Sequence, residues 1–447
     1  MMIKKANELY GRQISANLID SKQIDQDLIL KRSPIKVMDD FIICKRCGQK
    51  SPKQIAELPL HNFYCPKCIN LGRISTLNQL WTIKEPNYFN TFQKDPMTWD
   101  GKLTKPQLKC SLQVIKVFKK NLHHLLWAVT GAGKTEMLFN GINWGLKHQK
   151  RIAIASPRID VCMELYPRLQ AAFKGIDITL LHGHQKKPYQ YCQMTICTTH
   201  QLLRFYHAFD ILIIDEVDSF PFVHNQQLHY AASNAIKQQA ALLYLTATPN
   251  PELLRLIHHH QMTMSYLPIR YHGHLLPEIT LHIAPRWRNK IKHHQLPRLM
   301  ISLLKNKIKV SQRFLLFVPH ISDLKPVSKL ISKLIDPKKF ATVYSSDEKR
   351  LEKVQMMRQH QFQFLITTTI LERGVTFPNI DVIILGADDE IFSTSSLVQI
   401  AGRVGRNSDR PFGDVDFICH SNSKNVTAAI KQIKHLNYLG GKLIEHH

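Results

Sequence analysis

Residues 125–138 read LLWAVTGAGKTEML, and this stretch decides the fold. An apolar run, LLWAV, feeds Thr130-Gly131-Ala132-Gly133-Lys134-Thr135, and a helical pattern leaves it from about Lys134. Gly131 and Gly133 let the backbone turn sharply, so that successive N–H groups point inward at a phosphate. The helix N-terminus adds partial positive charge at the same spot. Lys134 is placed to reach the β- and γ-phosphates of a nucleotide, and the Thr135 hydroxyl to ligate Mg²⁺. Ala128 stands where this kind of loop usually has its first glycine. Short patterns also arise by chance, but here the strand–loop–helix context is present as well.

Short apolar runs recur along the chain, each followed by turn residues and a helical period. They are IAIA at 152–155, ILII at 211–214, LLYLTA at 242–247, FLLFV at 314–318, FLITTT at 364–369 and VIIL at 382–385. Runs bounded in this way fit strands buried on both faces of a parallel sheet. Strands alternating with helices build right-handed βαβ units, and hence open sheets with helices on both faces. The runs fall into two sets of similar plan. The pattern predicts an α/β protein with domains at residues 86–272 and 273–447, behind an N-terminal region, residues 1–85, of irregular pattern.

ILIIDEVDSF places Asp215 and Glu216 at the end of an apolar strand. Ligand sites form at the carboxyl ends of parallel strands. There Asp215 is expected to hold Mg²⁺ through water, and Glu216 to polarise the attacking water. The plain alternative is a solvated strand end. Thr246 and Thr248 follow another buried strand, and their hydroxyls are candidates for coupling the acidic pair to the rest of the molecule. Asp218 reads as a cap or a bridge. In SLVQIAGRVGRNSDR a helix would set Gln399, Gly402, Arg403 and Arg406 on one face. Two glycines in a helix cost about 1 kcal/mol each, which calls for the close approach of a backbone or a ligand. Arg403 and Arg406 then suit stabilisation of phosphoryl-transfer charge.

The chain has 60 Lys and Arg against 34 Asp and Glu, a net charge of +26. That sign favours phosphate-rich or anionic-lipid partners and says nothing about fold. Between Glu278 and Asp323 there is no acidic residue, and Arg286, Arg288, Lys290, Lys292, Arg298, Lys305, Lys307, Lys309 and Arg313 all lie there. That run is either solvated surface or a contact for a phosphate backbone. The N-terminus shows no secretory h-region, and no stretch reaches the ~18 apolar residues of a membrane span. A cytoplasmic chain is therefore expected.

Four of the nine cysteines are organised: Cys44, Cys47, Cys65 and Cys68 form C-x₂-C, 17 residues, C-x₂-C. Four thiolates in a tetrahedron suit a structural Zn²⁺ with no open position. This predicts a small zinc module at about residues 40–72, flanked by Lys45, Arg46 and Lys67. The other five, Cys110, Cys162, Cys192, Cys197 and Cys419, are expected to be buried small apolar residues. The run His258-His259-His260 and the terminal His446-His447 read as surface polar residues.

These segments, in this order, resemble the superfamily 2 helicases. The phosphate loop, Asp215-Glu216-Val217-Asp218, Thr246-Ala247-Thr248, Glu372-Arg373-Gly374 and Gln399-Ile400-Ala401-Gly402-Arg403-Val404-Gly405-Arg406 look like motifs I, II, III, V and VI, across roughly residues 100–410. The resemblance implies two RecA-like P-loop NTPase domains that use ATP and Mg²⁺. It implies catalytic roles for Lys134, Asp215, Glu216, Gln399, Arg403 and Arg406, ATP contacts from Glu372 and Gly374, and adenine reading by Gln107 of LTKPQLKC. It also implies single-stranded nucleic acid lying across Pro157-Arg158, Thr198-Thr199-His200-Gln201, Pro319-His320 and Thr367-Thr368.

Within the superfamily the chain is similar to the ComFA family, through the four-cysteine module ahead of the phosphate loop, the run CTTHQLLRFYHAFDILIIDEVDSF and the segment SPRIDV. That resemblance implies a DNA-stimulated ATPase helping to draw transforming single-stranded DNA into the cell. Its implied partners are other DNA-uptake proteins at the membrane channel, with the chain cytoplasmic or peripheral on the inner face of the membrane. The PriA replication-restart helicases share the motor motifs but carry their zinc-binding insertion between late motifs. From another class, a nucleotide-gated DNA-binding or assembly protein with negligible turnover would keep the same loop.

Overall fold

The computed structural model describes residues 2–183 and 188–445, so the terminal His446-His447 lie outside the described residues. The chain divides into two compact units: Met1–Trp127 with Thr135–Ser265, and Ala128–Lys134 with Tyr266–His447. The two α/β domains are RecA-like, with parallel sheets, and a buried four-cysteine cluster lies near the N-terminus.

The first unit is built on a seven-stranded sheet. Its order is Ile178–Leu181, Met194–Thr198, Ile152–Ser156, Phe209–Asp215, Ile236–Thr246, His123–Ala128, Thr263–Leu267. The pairings among the first six are all parallel. Every residue of Ile152–Ser156 and Met194–Thr198 is buried. This accounts for the unbroken apolar runs, since helices on both faces leave no polar side. Helices Lys105–Lys119, Lys134–Lys147, Ile159–Ala172 and Gln226–Ala235 belong to the same unit. The second sheet is parallel throughout, in the order Ile279–Ile283, Val415–Cys419, Ile380–Leu385, Arg313–Phe317, Phe364–Thr367, Phe340–Val343.

The N-terminal region is ordered, although its sequence shows no familiar period. Short antiparallel strands Ile14–Ser15, Leu80–Thr82 and Leu30–Arg32 form one sheet. Leu9, Ile14, Ile19, Ile24 and Ile29 share a small apolar cluster with Ile83. Their five-residue spacing matches neither a strand nor a helix, because 3₁₀ turns separate them from Ile14 onward. The cysteine module sits on helix Gln226–Ala235. The Tyr230 hydroxyl donates to Lys45 O at 3.1 Å, and a Cβ at Gly48 would lie 2.4 Å from the Tyr230 ring. The module, Phe205, Phe222 and the sheet residue Leu212 belong to one apolar cluster. A fully buried ion pair, Arg151–Glu85, joins the N-terminal region to the sheet, with Tyr189 accepting from Arg151 and the Tyr191 hydroxyl donating to Glu85.

The cation-rich run of the second unit is split. Lys307 is buried between Asp381 and Asp414, each at 2.6 Å. Arg288 pairs with Asp323 and Asp389 at 2.9 and 2.6 Å, and Arg313 donates to Met357 O. Acids distant in sequence thus neutralise part of a run that reads as unopposed. Arg286, Lys290, Lys292, Arg298, Lys305 and Lys309 remain exposed.

Candidate functional site

The phosphate loop has the geometry that its glycines imply. Gly131 and Gly133 have φ of 80° and 75°, a left-handed region open mainly to glycine. Helix Lys134–Lys147 starts at the lysine. Lys134 Nζ donates to Ala128 O at 2.9 Å and Val129 O at 3.2 Å, so the ammonium is folded over its own loop. Thr130, Ala132 and Thr135 are buried. Tyr271 N donates to Gly131 O at 3.0 Å.

Asp215 ends strand Phe209–Asp215 in register with Leu245, which pairs with Leu126. At about 4.8 Å per strand, Asp215 lies about 10 Å across the carboxyl edge from the strand that feeds the loop. Asp215 Oδ1 accepts from Glu216 N at 2.9 Å, and Glu216 has a φ of 55°. The chain therefore turns abruptly at the two acids. Asp218 forms a bridge: its oxygens accept from Thr246 Oγ1 and Thr248 Oγ1, both at 2.6 Å. Thr246 Oγ1 also accepts from Thr248 N at 2.9 Å.

The expected single helical face over 399–406 is not formed. The helix is Thr394–Ala401, and residues 402–405 are turns. The glycines account for this. A Cβ at Gly402 would lie 1.9 Å from Thr130 Oγ1, and one at Gly405, whose φ is +67°, would lie 2.2 Å from Pro411 O. Close approach, here of the phosphate loop and of a neighbouring backbone, is what requires glycine. Gln399 on the helix is buried. Buried Arg403 donates to Val375 O, while half-buried Arg406 donates from Nε to Gly402 O at 3.1 Å. Glu372 accepts from Ser396 Oγ, and Arg373 donates to Ser395 Oγ at 3.1 Å. Gly374 has a φ of +70°.

Gln107 is the third residue of helix Lys105–Lys119. Its amide oxygen accepts from Thr104 N at 2.9 Å in a capping box, so the residue proposed for adenine is also fixed by the helix start. The candidate nucleic-acid contacts separate by burial. Pro157, Thr198, Thr199, Gln201, Pro319, Thr367 and Thr368 are buried, whereas Arg158 is partly exposed and His200 and His320 are exposed. The Thr367 hydroxyl donates to Val343 O at 3.0 Å, and His320 Nε2 lies 3.3 Å from Asp389.

The sulfur atoms of Cys44, Cys47, Cys65 and Cys68 all lie within 4.8 Å of one another, and all four residues are buried. Cys44–Cys68 and Cys47–Cys65 Sγ separations are 3.9 and 3.6 Å, too long for disulfides. Four sulfurs about 2.3 Å from one Zn²⁺ would lie about 3.8 Å apart, so the donor set fits that ion. Hydrogen bonds from Cys44 and Cys47 hold Cys65 and Cys68 below the usual thiol range. Arg46 donates to Cys68 Sγ at 3.0 Å and Cys68 O at 2.7 Å, which favours thiolate. The other five cysteines are buried apart from this group. His258, His259 and His260 are exposed. Among the described residues the four cysteines are the one group whose ligand atoms converge.

Comparison with known proteins matches residues 6–82 to the competence protein ComFA N-terminal domain, 100–251 to the type III restriction enzyme res subunit and 292–408 to the helicase conserved C-terminal domain. The chain is 40% identical to competence protein ComFA of Bacillus subtilis over 403 residues, covering 90% of this chain and 86% of that one. It is 37% identical to ComFA of Streptococcus pneumoniae, covering 96% and 98%. The chain belongs to the ComFA family. Among solved structures it is similar to S. cerevisiae Dbp5 bound to RNA and ADP BeF₃, with TM-score 0.55, 14% identity, and coverage of 76% of this chain and 98% of that one. It is also similar to Mycobacterium smegmatis helicase Lhr bound to ssDNA and AMP-PNP, with TM-score 0.54, 14% identity, and coverage of 76% and 50%. These two likenesses concern the fold. This ComFA member carries superfamily 2 helicase domains, which imply an ATPase. No described helix is long and apolar enough to cross a membrane.

Two features of this ComFA chain escape a reading of the sequence. Buried Arg270 donates to Gly405 O at 2.5 Å and Gly402 O at 3.4 Å, and His272 shares Gly405 O at 3.0 Å. Burial, with Arg406 nearby, pushes the Arg270 guanidinium down to about 9. The buried Arg151–Glu85 pair is the other. Neither lies in a motif, and partners 66 and 135 residues apart leave no local signal.

Proposed function

We propose that this chain is an ATP-driven translocase on single-stranded DNA that serves the uptake of transforming DNA during competence. ATP binds the Thr130–Thr135 loop, with Thr135 and Asp215 holding Mg²⁺. Glu216 orients the attacking water. Arg403 and Arg406, with Gln399, Glu372 and Gly374, assist the transfer of the phosphoryl group, and Gln107 reads adenine. The strand runs over Pro157-Arg158, Thr198–Gln201, Pro319-His320 and Thr367-Thr368, where strand-end amides, partly exposed Arg158 and exposed His200 and His320 meet phosphates. Thr246 and Thr248 couple the two events through Asp218. Zn²⁺ at the four cysteines is structural. Other uptake proteins at the inner face of the membrane are its partners.

The observation that carries this reading is the close approach of Gly402 to Thr130, because it sets the turn bearing Arg403 and Arg406 beside the phosphate loop. Family membership supports the competence role. The test is steady-state ATPase with single-stranded DNA, duplex DNA and RNA at stated salt. Strong stimulation by single-stranded DNA is expected. A rate no higher than that of Lys134→Ala would end the motor reading. Strand displacement on forked duplex separates translocation from unwinding.

A further inference from the structure

We propose that Arg73 and Arg204 form a second binding site for nucleic-acid phosphate, set between the cysteine module and the first RecA-like domain. The proposal rests on the single-strand reading above. The site is a cavity of about 350 Å³ whose lining includes Ser15, Arg46, Arg73, Leu77 and Arg204, with no Asp or Glu among its lining residues.

Three arginines therefore line one hollow. Arg46 is committed: its Nη2 donates to Cys68 O, Cys68 Sγ and Gly72 O. Arg73 and Arg204 make no side-chain hydrogen bond or ion pair among the described residues. Arg204 Nε is buried without a partner, as is the hydroxyl of Ser15, a residue only 8% exposed. Arginines grouped without a carboxylate, with one donor, Arg204 Nε, out of reach of water, are destabilising when empty-handed. A phosphate held by Arg73 and Arg204 relieves this, because guanidinium forks match its oxygens and the serine hydroxyl supplies one more donor.

Leu18 and Leu77, 45% and 68% exposed, flank the cavity. Apolar walls beside a basic floor suit a sugar or base attached to the phosphate. The position favours nucleic acid over an acidic peptide. Arg204 ends the 3₁₀ helix Thr199–Arg204, whose first residues are candidate strand contacts. At about 2 Å per residue, the cavity lies about 10 Å from Thr199, within reach of the same strand. The site would thus grip the strand a few nucleotides away from the motor motifs.

The test uses the full chain with Arg73→Ala, Arg204→Ala and the double variant. Binding of labelled single-stranded oligonucleotides of increasing length is followed by anisotropy across a salt series. The double variant should lose roughly 0.7 of salt slope for each phosphate released and about 10-fold in affinity on long oligonucleotides. It should match the wild type on oligonucleotides too short to reach the cavity. ATPase without DNA should be unchanged, and Arg204→Lys should restore the slope. Arg73 is exposed, so Arg73→Ala alone keeps the test alive if the double variant melts early. Unchanged slope and affinity on long oligonucleotides, in a wild type that binds them, would overturn the site alone. Loss of affinity for a poly-glutamate peptide with DNA binding intact would assign the cavity to a protein and also overturn it. A wild type that binds no single strand would remove the translocase reading first.

Discussion

Asp218 Oδ1 accepts a 2.6 Å hydrogen bond from the Thr246 hydroxyl, and its other oxygen accepts one of equal length from Thr248. The carboxylate thereby ties the turn after Asp215-Glu216 to the end of the neighbouring strand. Asp218→Ala leaves two buried hydroxyls without their acceptor, a penalty of about 1–3 kcal/mol. Its melting temperature should fall. ATPase without DNA should change little, and stimulation by DNA should largely vanish. Equal losses with and without DNA would argue against coupling.

Glu216→Gln keeps the shape of the turn and removes the charge. On the proposed role in orienting the attacking water, turnover should fall by about 10²–10⁴-fold. DNA affinity should stay within about threefold of wild type. Lys134→Ala should behave alike and should also weaken nucleotide binding, read with a fluorescent ATP analogue.

Arg406 and Arg403 should differ. Arg406 is half-buried and donates to Gly402 O, so Arg406→Ala should lower turnover by about 10³-fold or more with a smaller change in melting than at buried Arg403. Arg403 is buried and holds Val375 O, so Arg403→Ala should lower both turnover and stability, the latter by about 1–3 kcal/mol. Circular dichroism melts beside ATPase rates separate the two.

The purified chain should carry one equivalent of zinc, measured by elemental analysis. Cys65→Ser or a strong chelator should remove it. Because the module shares the apolar cluster of the first unit, its loss should lower the melting temperature and open residues 40–72 to protease.

His124 is fully buried, between the hydroxyls of Thr263 at 2.7 Å and Ser265 at 2.9 Å. Burial pushes its imidazole down to about 4 from 6.5. Below 6.5 the unfolded chain takes up this proton and the folded one does not, so stability is present above 6.5 and is lost as pH falls toward 4. The loss reaches up to about 3 kcal/mol. Denaturant melts at pH 7 and pH 5 should show a smaller difference for His124→Gln than for wild type. Equal differences would deny the assignment.

The sequence by itself determined the two parallel-sheet domains, the phosphate loop, the acidic strand end and the cysteine tetrad. Each is written in neighbouring residues: a buried strand needs an unbroken apolar run, a phosphate loop needs spaced glycines, and a metal site needs paired thiols. What only the tertiary structure decided depends on residues far apart in the chain. The helix before Arg403 stops at Ala401, and Thr130 and Pro411 approach the glycines that follow too closely for any side chain. Lys307 turns inward to Asp381 and Asp414 rather than outward with its basic neighbours. Arg270 grips Gly405, and Arg73 comes to share a cavity with Arg204. The five-residue spacing of Leu9 to Ile29 becomes a core only once 3₁₀ turns rotate each side chain to one side. Local pattern sets which elements form, whereas charge pairing and steric approach between them act through space and leave no period to read.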